Sequence, residues 1–160
     1  ESYMDLINQF DNLIIIRSFS KWAGLAGLRI GYAISNSELI QRILQIKQPY
    51  NINSAAEFVA INAIKNKENL FKKVKILMEQ KDKIYEFLLK KKEIKVYPSR
   101  ANFVLCDFND LSADNVFEGL AKKGIFVRKF SNQFINNALR ISAGTPDQTR
   151  QLLQELEELI

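Results

Sequence analysis

Two short runs of apolar, β-branched residues mark the beginning of the chain. Residues 13–17 and 28–34 are almost continuously apolar, which is typical of strands buried on both faces. The segment between them, residues 18–27, is rich in serine and glycine, which favour loops. The pattern therefore predicts two buried strands joined by a loop that carries small polar residues.

Helical patterns follow these strands. Apolar residues at helical spacing predict one helix between Asn36 and Pro49, and another over residues 54–64 with Asn53 as its N-cap. The second helix has apolar residues on nearly all sides, so we expect it to be buried. A longer helix is predicted over residues 68–90, because an apolar stripe runs along it through Leu70, Val74, Leu77, Ile84 and Leu88.

The second half of the chain alternates short strands with helices. Four strands are predicted, at residues 94–97, 103–108, 125–128 and 138–142. Between the second and third strands, the sequence predicts a helix with Ser112 as its N-cap and Gly124 at its end. The last helix has the signature of a capping box. Thr145 stands at the N-cap, Pro146 at the first helical position and Gln148 at the position whose side chain reaches back to the cap.

Together these elements predict an α/β fold in two parts. Residues 1–66 would be the C-terminal part of a large domain with an incomplete sheet, residues 67–90 a long connecting helix, and residues 91–160 a small, complete α+β domain. The chain begins with Glu1 rather than Met, so we expect upstream sequence to be missing.

Composition excludes several classes of site. The chain has no histidine and one cysteine, Cys106, which excludes an internal disulfide, a Ser–His or Cys–His nucleophilic site and most transition-metal sites. The net charge of +5 comes from lysines interspersed with acidic residues, which is more typical of solvated helices than of a nucleic-acid interface. Apolar runs are too short for a membrane span, and no secretory signal or lipidation motif is visible. We therefore expect a cytoplasmic protein with no metal, no nucleic-acid partner and no membrane partner.

The loop between the first two strands carries the candidate chemistry. Lys21 follows a predicted buried strand, so we expect its amine to leave bulk water and become competent to attack a carbonyl. Ser18 and Ser20 before it, and Arg29 after it, would supply hydrogen bonds and positive charge to a phosphate. The backbone would approach such a ligand closely at two glycines, Gly24 and Gly27.

This stretch resembles a known family. Ser-x-Ser-Lys at residues 18–21, followed by Leu-Ala-Gly-Leu-Arg-Ile-Gly-Tyr at residues 25–32, is similar to the fold-type I aminotransferases that use pyridoxal 5'-phosphate. The resemblance is strongest to histidinol-phosphate aminotransferases. It implies that residues 1–66 belong to the cofactor-binding large domain and that Lys21 binds the cofactor covalently. The cofactor phosphate would be bound by Ser18, Ser20 and Arg29.

The resemblance continues along the rest of the chain. Tyr3 ends a segment similar to the family's Asp-Glu-Ala-Tyr, in which the tyrosine bonds the cofactor's 3-oxygen. The aspartate that contacts the ring nitrogen would directly precede Glu1. Residues 98–104 resemble the Pro-Ser-x-Ala-Asn-Phe that leads into a small-domain strand. The strands with Arg128 and Arg140 resemble those that deliver two arginines to the anionic ends of the substrates.

The function implied by the resemblance is transamination. The substrates would be L-histidinol phosphate and 2-oxoglutarate, and the products imidazole-acetol phosphate and glutamate, as in histidine biosynthesis. The family's active site lies between two subunits, so a homodimer is expected. Two alternatives remain open, namely another fold-type I enzyme (a threonine-phosphate decarboxylase, or an aromatic or aspartate aminotransferase) and a non-catalytic α/β binding module. Because the ring-nitrogen aspartate is missing, we expect the chain by itself to be inactive.

Overall fold

A computed structural model describes residues 3–109, 111–132 and 135–160. Glu1 and Ser2, which belong to the segment that resembles Asp-Glu-Ala-Tyr, lie outside the described residues. The chain divides into two compact units, unit one (Glu1–Phe71) and unit two (Lys72–Ile160). The division falls inside the long helix. The assignment of the chain to a large domain, a connecting helix and a small domain stays a prediction.

Unit one contains a hairpin and two complete helices. The strands β1 (Ile15–Ser18) and β2 (Gly31–Ile34) pair antiparallel, and the helices are α1 (Ser37–Ile46) and α2 (Ser54–Lys65). The predicted cap at Asn53 is confirmed, and Asn36 also caps its helix. The side-chain oxygen of Asn36 accepts a hydrogen bond from the backbone N–H of Leu39 (2.8 Å), and that of Asn53 accepts one from Ala56 (2.9 Å). Each cap satisfies one of the backbone donors that a helix start leaves unpaired.

The predicted burial of unit one is wrong for this chain. In β1, the side chain of Ile16 is 77% exposed, and in α2 only the alanine side of the helix is buried, while Phe58 is 70% exposed. The physical reason is the size of the sheet. A two-stranded hairpin has too little surface to cover all sides of a helix. The buried cluster of unit one is correspondingly small and centres on Phe19, Ile30 and Ala60.

Unit two is built on a four-stranded antiparallel sheet. The long helix α3 (Lys67–Leu89) begins in unit one and continues into unit two. The other elements are β3 (Lys95–Tyr97), β4 (Phe103–Asp107), α4 (Ala113–Lys122), β5 (Arg128–Asn132), β6 (Ile135–Ser142) and α5 (Pro146–Leu159). The strand order is β3-β4-β6-β5. None of the helices within the described ranges is long and apolar enough to cross a membrane.

Alternation along the two central strands divides the sheet of unit two into two faces. Cys106 pairs with Leu139 and Val104 pairs with Ile141, and these four side chains are buried in the core. The helices supply the rest of the core, mainly Ile84, Leu88, Leu120, Leu152 and Leu156. Because successive strand residues point to opposite faces, Leu105 and Arg140 lie on the other face of the sheet.

Two details of unit two bear on the predictions. The capping box of α5 is confirmed, because Thr145 Oγ1 accepts from the Gln148 N–H (3.3 Å) and Gln148 Oε1 accepts from the Thr145 N–H (2.9 Å). The strand predicted over residues 125–128 is wrong, since β5 starts at Arg128. Residues 125–127 lie between the turn that follows α4 and β5, and the Ile125 N–H donates to the carbonyl of Leu120 (2.9 Å).

Candidate active site

Two hydroxyls meet where β1 ends. The hydroxyl of Ser18, the last residue of β1, donates to Ser20 Oγ at 2.7 Å, and Ser18 Oγ also accepts from the Ser20 N–H at 3.0 Å. Lys21 follows directly, and its backbone oxygen accepts from the Gly24 N–H (3.2 Å), which closes a turn. The strand end therefore presents two hydroxyl groups and, next in the chain, a primary amine.

Lys21 itself is exposed, as is Tyr3, whose side chain is 65% exposed. The predicted withdrawal of Lys21 from bulk water is wrong for this chain, because the described part of unit one does not cover the loop. Tyr3 precedes a short 3-10 helix (Met4–Leu6), and its backbone oxygen accepts from the Leu6 N–H (3.1 Å). The roles of both side chains towards a cofactor stay predictions.

Arg29 has a backbone conformation that is unusual for a residue with a side chain. It ends the 3-10 helix Ala26–Leu28 in the left-handed region, at φ 52° and ψ 39°. One guanidinium nitrogen donates to the Ala26 carbonyl at 2.9 Å. Non-glycine residues in this region are strained and cluster at functional sites. A guanidinium has five N–H donors, so this contact leaves several for an anion.

The close backbone approach in this hairpin occurs at Gly31. A Cβ atom there would lie 2.7 Å from the carbonyl oxygen of Arg17 on the opposite strand. The expected close approach of a ligand at Gly24 and Gly27 stays a prediction; among the described residues, a Cβ at either would meet nothing within 4 Å. Gly24 has a positive φ of 70°, which its turn requires.

An open cleft of about 630 Å³ lies beside Ser18 within unit one. Its walls are largely apolar and include three aromatic side chains, those of Trp22, Tyr32 and Phe71. Trp22 stacks on Phe71 with the ring centroids 5.3 Å apart, and Tyr32 packs edge-on to Phe19 at 5.8 Å. Arg17 and Ser18 add polar groups to the lining. Such a cleft, apolar with a few polar groups at one side, is typical of small-molecule sites.

A second group of candidate residues lies on the sheet of unit two. Arg128 of β5 is directly opposite Arg140 of β6, so the two side chains leave the same face. The Nε atom of Arg140 is buried and has no hydrogen-bond acceptor among the described residues. Like charges on opposite residues repel, and a buried donor without an acceptor is unfavourable. An anion bound between the two guanidinium groups would relieve both.

Comparison with known proteins gives the family. A sequence profile described as "Aminotransferase class I and II" matches residues 2–156. The chain belongs to the class I and II aminotransferases. Histidinol-phosphate aminotransferase of Thermoanaerobacter pseudethanolicus is 39% identical to it over 98% of this chain and 44% of the relative. The chain thus spans less than half the length of that curated aminotransferase.

Solved aminotransferases share the fold. The histidinol-phosphate aminotransferase of Clostridium acetobutylicum aligns with a TM-score of 0.83 at 28% identity, over 98% of this chain and 48% of that one. The enzyme of Sinorhizobium meliloti, solved in complex with pyridoxal 5'-phosphate, aligns with a TM-score of 0.77 at 26% identity, over 96% of this chain and 43% of that one. The predicted fold-type I aminotransferase fold is confirmed.

Two notable residues of unit two were not singled out from the sequence. Lys81 is buried in unit two although it is charged, and the ring of Phe103 lies under the guanidinium of Arg140. A signal for Lys81 was present, because it continues the apolar stripe of α3 between Leu77 and Ile84. The role of Phe103 had no such signal, since it depends on a contact between two strands.

Proposed function

We propose that the full-length protein is a pyridoxal 5'-phosphate-dependent aminotransferase in which Lys21 is the catalytic lysine. The observation that carries this proposal is the hydrogen-bonded pair of Ser18 and Ser20 at the end of β1, directly before that lysine. Family membership supports the same reading. The proposed substrates are L-histidinol phosphate and 2-oxoglutarate, because curated relatives that are 39% identical to the chain are histidinol-phosphate aminotransferases.

The donor set at the end of β1 fits the cofactor. Two hydroxyls and a guanidinium are good phosphate ligands. The left-handed backbone of Arg29 is strained, and favourable contacts with a bound anion would offset that strain. The cofactor phosphate would therefore be held by Ser18, Ser20 and Arg29. Its aldehyde carbon would be bound by Lys21 Nζ, and its 3-oxygen would be hydrogen-bonded by Tyr3. When bound, the cofactor supplies an electron sink for bond breaking at the substrate α-carbon.

The chain's own residues would then do two jobs. Lys21 Nζ would accept the proton that leaves the substrate α-carbon and so act as the general base. Arg128 and Arg140 orient the substrate by binding its anionic groups, phosphate or carboxylate, through paired N–H donors. The unpaired Nε of Arg140 supports this assignment, since it is a buried donor that still needs an acceptor.

Replacement of the lysine tests the enzyme reading. In the full-length protein, Lys21→Ala should abolish the visible absorbance band of covalently bound cofactor and lower turnover by roughly a hundred- to ten-thousand-fold. Lys65→Ala, which alters an exposed lysine of α2, is the matched control and should leave both unchanged. A wild-type protein without the band, together with unchanged turnover in Lys21→Ala, would favour the non-catalytic binding module instead.

A substrate screen separates the enzyme alternatives. We expect histidinol phosphate to be the preferred amino donor over aromatic amino acids and aspartate, with 2-oxoglutarate as acceptor. Arg140→Lys should raise KM for the anionic substrates by about tenfold or more, because a lysine loses the bidentate contact. Release of carbon dioxide from threonine phosphate, without transamination of histidinol phosphate, would identify a decarboxylase and overturn the proposed substrates.

The remaining expectations concern the whole protein. We propose a cytoplasmic homodimer, and size-exclusion chromatography with light scattering on the full-length protein tests the dimer. Residues 1–160 alone should not transaminate, because the aspartate expected at the ring nitrogen would precede Glu1. Turnover by this segment would contradict that expectation.

A further inference from the structure

We propose that Lys81 is a positioning residue for the substrate-binding guanidinium of Arg140, acting through the β3–β4 connection and Phe103. The inference rests on the proposed function, since it takes Arg140 as a substrate-binding residue. Lys81, Phe103 and Arg140 all belong to unit two. Lys81 carries a buried charge that no other part of the mechanism uses.

Lys81 is only 7% exposed, on a helix that otherwise keeps its lysines in water. Its ammonium forms an ion pair with Asp82 and donates to the backbone oxygen of Ser99 at 3.1 Å. A buried ammonium is unfavourable unless it is paired and hydrogen-bonded. A methionine or leucine at this position would extend the apolar stripe of α3 without that penalty. The lysine therefore serves the contact with Ser99.

That contact fixes a connection of five residues, 98–102, between β3 and β4. Within it, Ser99 Oγ accepts from the Ala101 N–H at 3.2 Å. At its far end, the Asn102 carbonyl accepts from the Ala143 N–H at 2.9 Å, just beyond β6. The connection is thus held to α3 on one side and to the end of β6 on the other. Phe103, the next residue, begins β4 from this fixed point.

Phe103 in turn supports Arg140. It pairs with Ser142, so it lies diagonally across from Arg140 on the same face of the sheet, within reach of a long side chain. The guanidinium carbon of Arg140 stands 5.2 Å from the centre of the Phe103 ring. Within the described ranges no carboxylate forms a salt bridge with Arg140, so the ring is the contact that orients it.

The guanidinium of Arg140 is therefore held in position although no carboxylate among the described residues neutralises its charge. A carboxylate partner would hold Arg140 as firmly, but it would compete with an anionic substrate for the same donors. An aromatic face holds the cation and leaves its N–H groups for the ligand. Shifts of the supporting connection should therefore appear as weaker anion binding, since small misplacements of a binding group have large effects.

The test uses Lys81→Met, Lys81→Arg and the control Lys83→Met in the full-length holoenzyme. Lys83 is an exposed lysine on the same helix. The probe is glutarate, a dicarboxylate that cannot transaminate, with its Kd measured by calorimetry. We expect Lys81→Met to weaken glutarate binding about tenfold and to raise KM for 2-oxoglutarate similarly, with kcat and cofactor absorbance little changed. Lys81→Arg should restore most of the affinity, and Lys83→Met should match the wild type.

Two results would overturn the inference. One is a Lys81→Met enzyme with a lower Tm but the wild-type Kd for glutarate, which would make the lysine structural only. The other concerns Phe103→Leu, which replaces Lys81→Met as the test if Lys81→Met does not fold. An unchanged Kd for glutarate in Phe103→Leu would refute the proposed link from Lys81 through Phe103 to Arg140. If the wild-type protein binds neither cofactor nor glutarate, the proposed function fails, and the inference fails with it. If the wild type binds both and Lys81→Met has the same Kd for glutarate, only the inference is refuted.

Discussion

At the scale of single residues, the hairpin of unit one depends on Gly31. The β1 carbonyl of Arg17 lies where a side chain at position 31 would have to go. The motif contains three glycines, and from the sequence a role was expected only for Gly24 and Gly27, towards a ligand. Only the paired strands reveal which glycine faces a neighbouring backbone, because the distance concerned is between atoms far apart in sequence.

Gly31→Ala should therefore destabilise the protein by about 1–3 kcal/mol, because backbone atoms must move to admit the methyl group. Gly27→Ala is the matched control. A Cβ there meets nothing within 4 Å and φ is not positive, so its effect should stay within about 1 kcal/mol. Denaturant unfolding of the two variants measures the difference. Equal stabilities for the two would contradict the role given to Gly31.

Ser18 allows a second prediction at this scale. Ser18→Ala removes one proposed phosphate ligand and also the hydrogen bond to Ser20. A hydrogen bond to a charged group contributes about 1.5–3 kcal/mol, so cofactor affinity should fall roughly ten- to a hundred-fold. Titration of the apoenzyme with pyridoxal phosphate measures this, with Ser37→Ala, an exposed serine of α1, as the control. Unchanged affinity in Ser18→Ala would remove that serine from the site.

At the scale of secondary-structure elements, helices were read more accurately than strands. The predicted N-caps Asn53, Ser112 and Thr145 are confirmed, as is the predicted start of a helix after Asn36. Helix starts follow from bonds between residues three apart, so a short window of sequence contains all the information. Strands need partners. The run at residues 125–128 looked like a strand, but its first residues lie between the turn after α4 and β5.

Helix α5 provides a paired test of two threonines. Thr145→Ala removes the N-cap and should lower stability by about 1 kcal/mol. Thr149→Val should be neutral or stabilising, because the buried Thr149 hydroxyl has no hydrogen-bond partner in the described part of the chain. Thermal unfolding distinguishes the two variants. A loss of more than about 1 kcal/mol in Thr149→Val would show that the hydroxyl is satisfied after all.

At the scale of the whole molecule, stability depends most on the core of unit two, which encloses Cys106. Burial raises the pKa of the Cys106 thiol from 9.0 to about 12, an effect that a hydrogen bond with the backbone of Leu139 partly opposes and nearby Asp107 reinforces. Between pH 9.0 and about 12, the Cys106 thiol therefore keeps its proton in the folded state and loses it in the unfolded state. Stability from this group is fully present below pH 9.0 and is lost as pH rises through this window.

Cys106→Val should remove this pH dependence, since it replaces the chain's only cysteine by an apolar side chain of similar size. Between pH 8 and pH 10, the wild type should lose about 1 kcal/mol more stability than the variant. Urea unfolding at the two pH values measures the difference, and all other side chains are common to both proteins. Parallel losses would contradict the assignment to Cys106.

The sequence by itself determined what short-range chemistry controls. It located the helices and their caps, the Ser-x-Ser-Lys loop and the family resemblance, because each depends on residues that are near neighbours in the chain. The tertiary structure decided what long-range contacts control: which residues are buried, that Arg128 and Arg140 are opposite each other, and that Lys81 reaches Ser99. The burial of unit one shows the limit most clearly. An apolar run such as residues 13–17 indicates what a strand can bury, but only the surrounding chain determines whether it is covered.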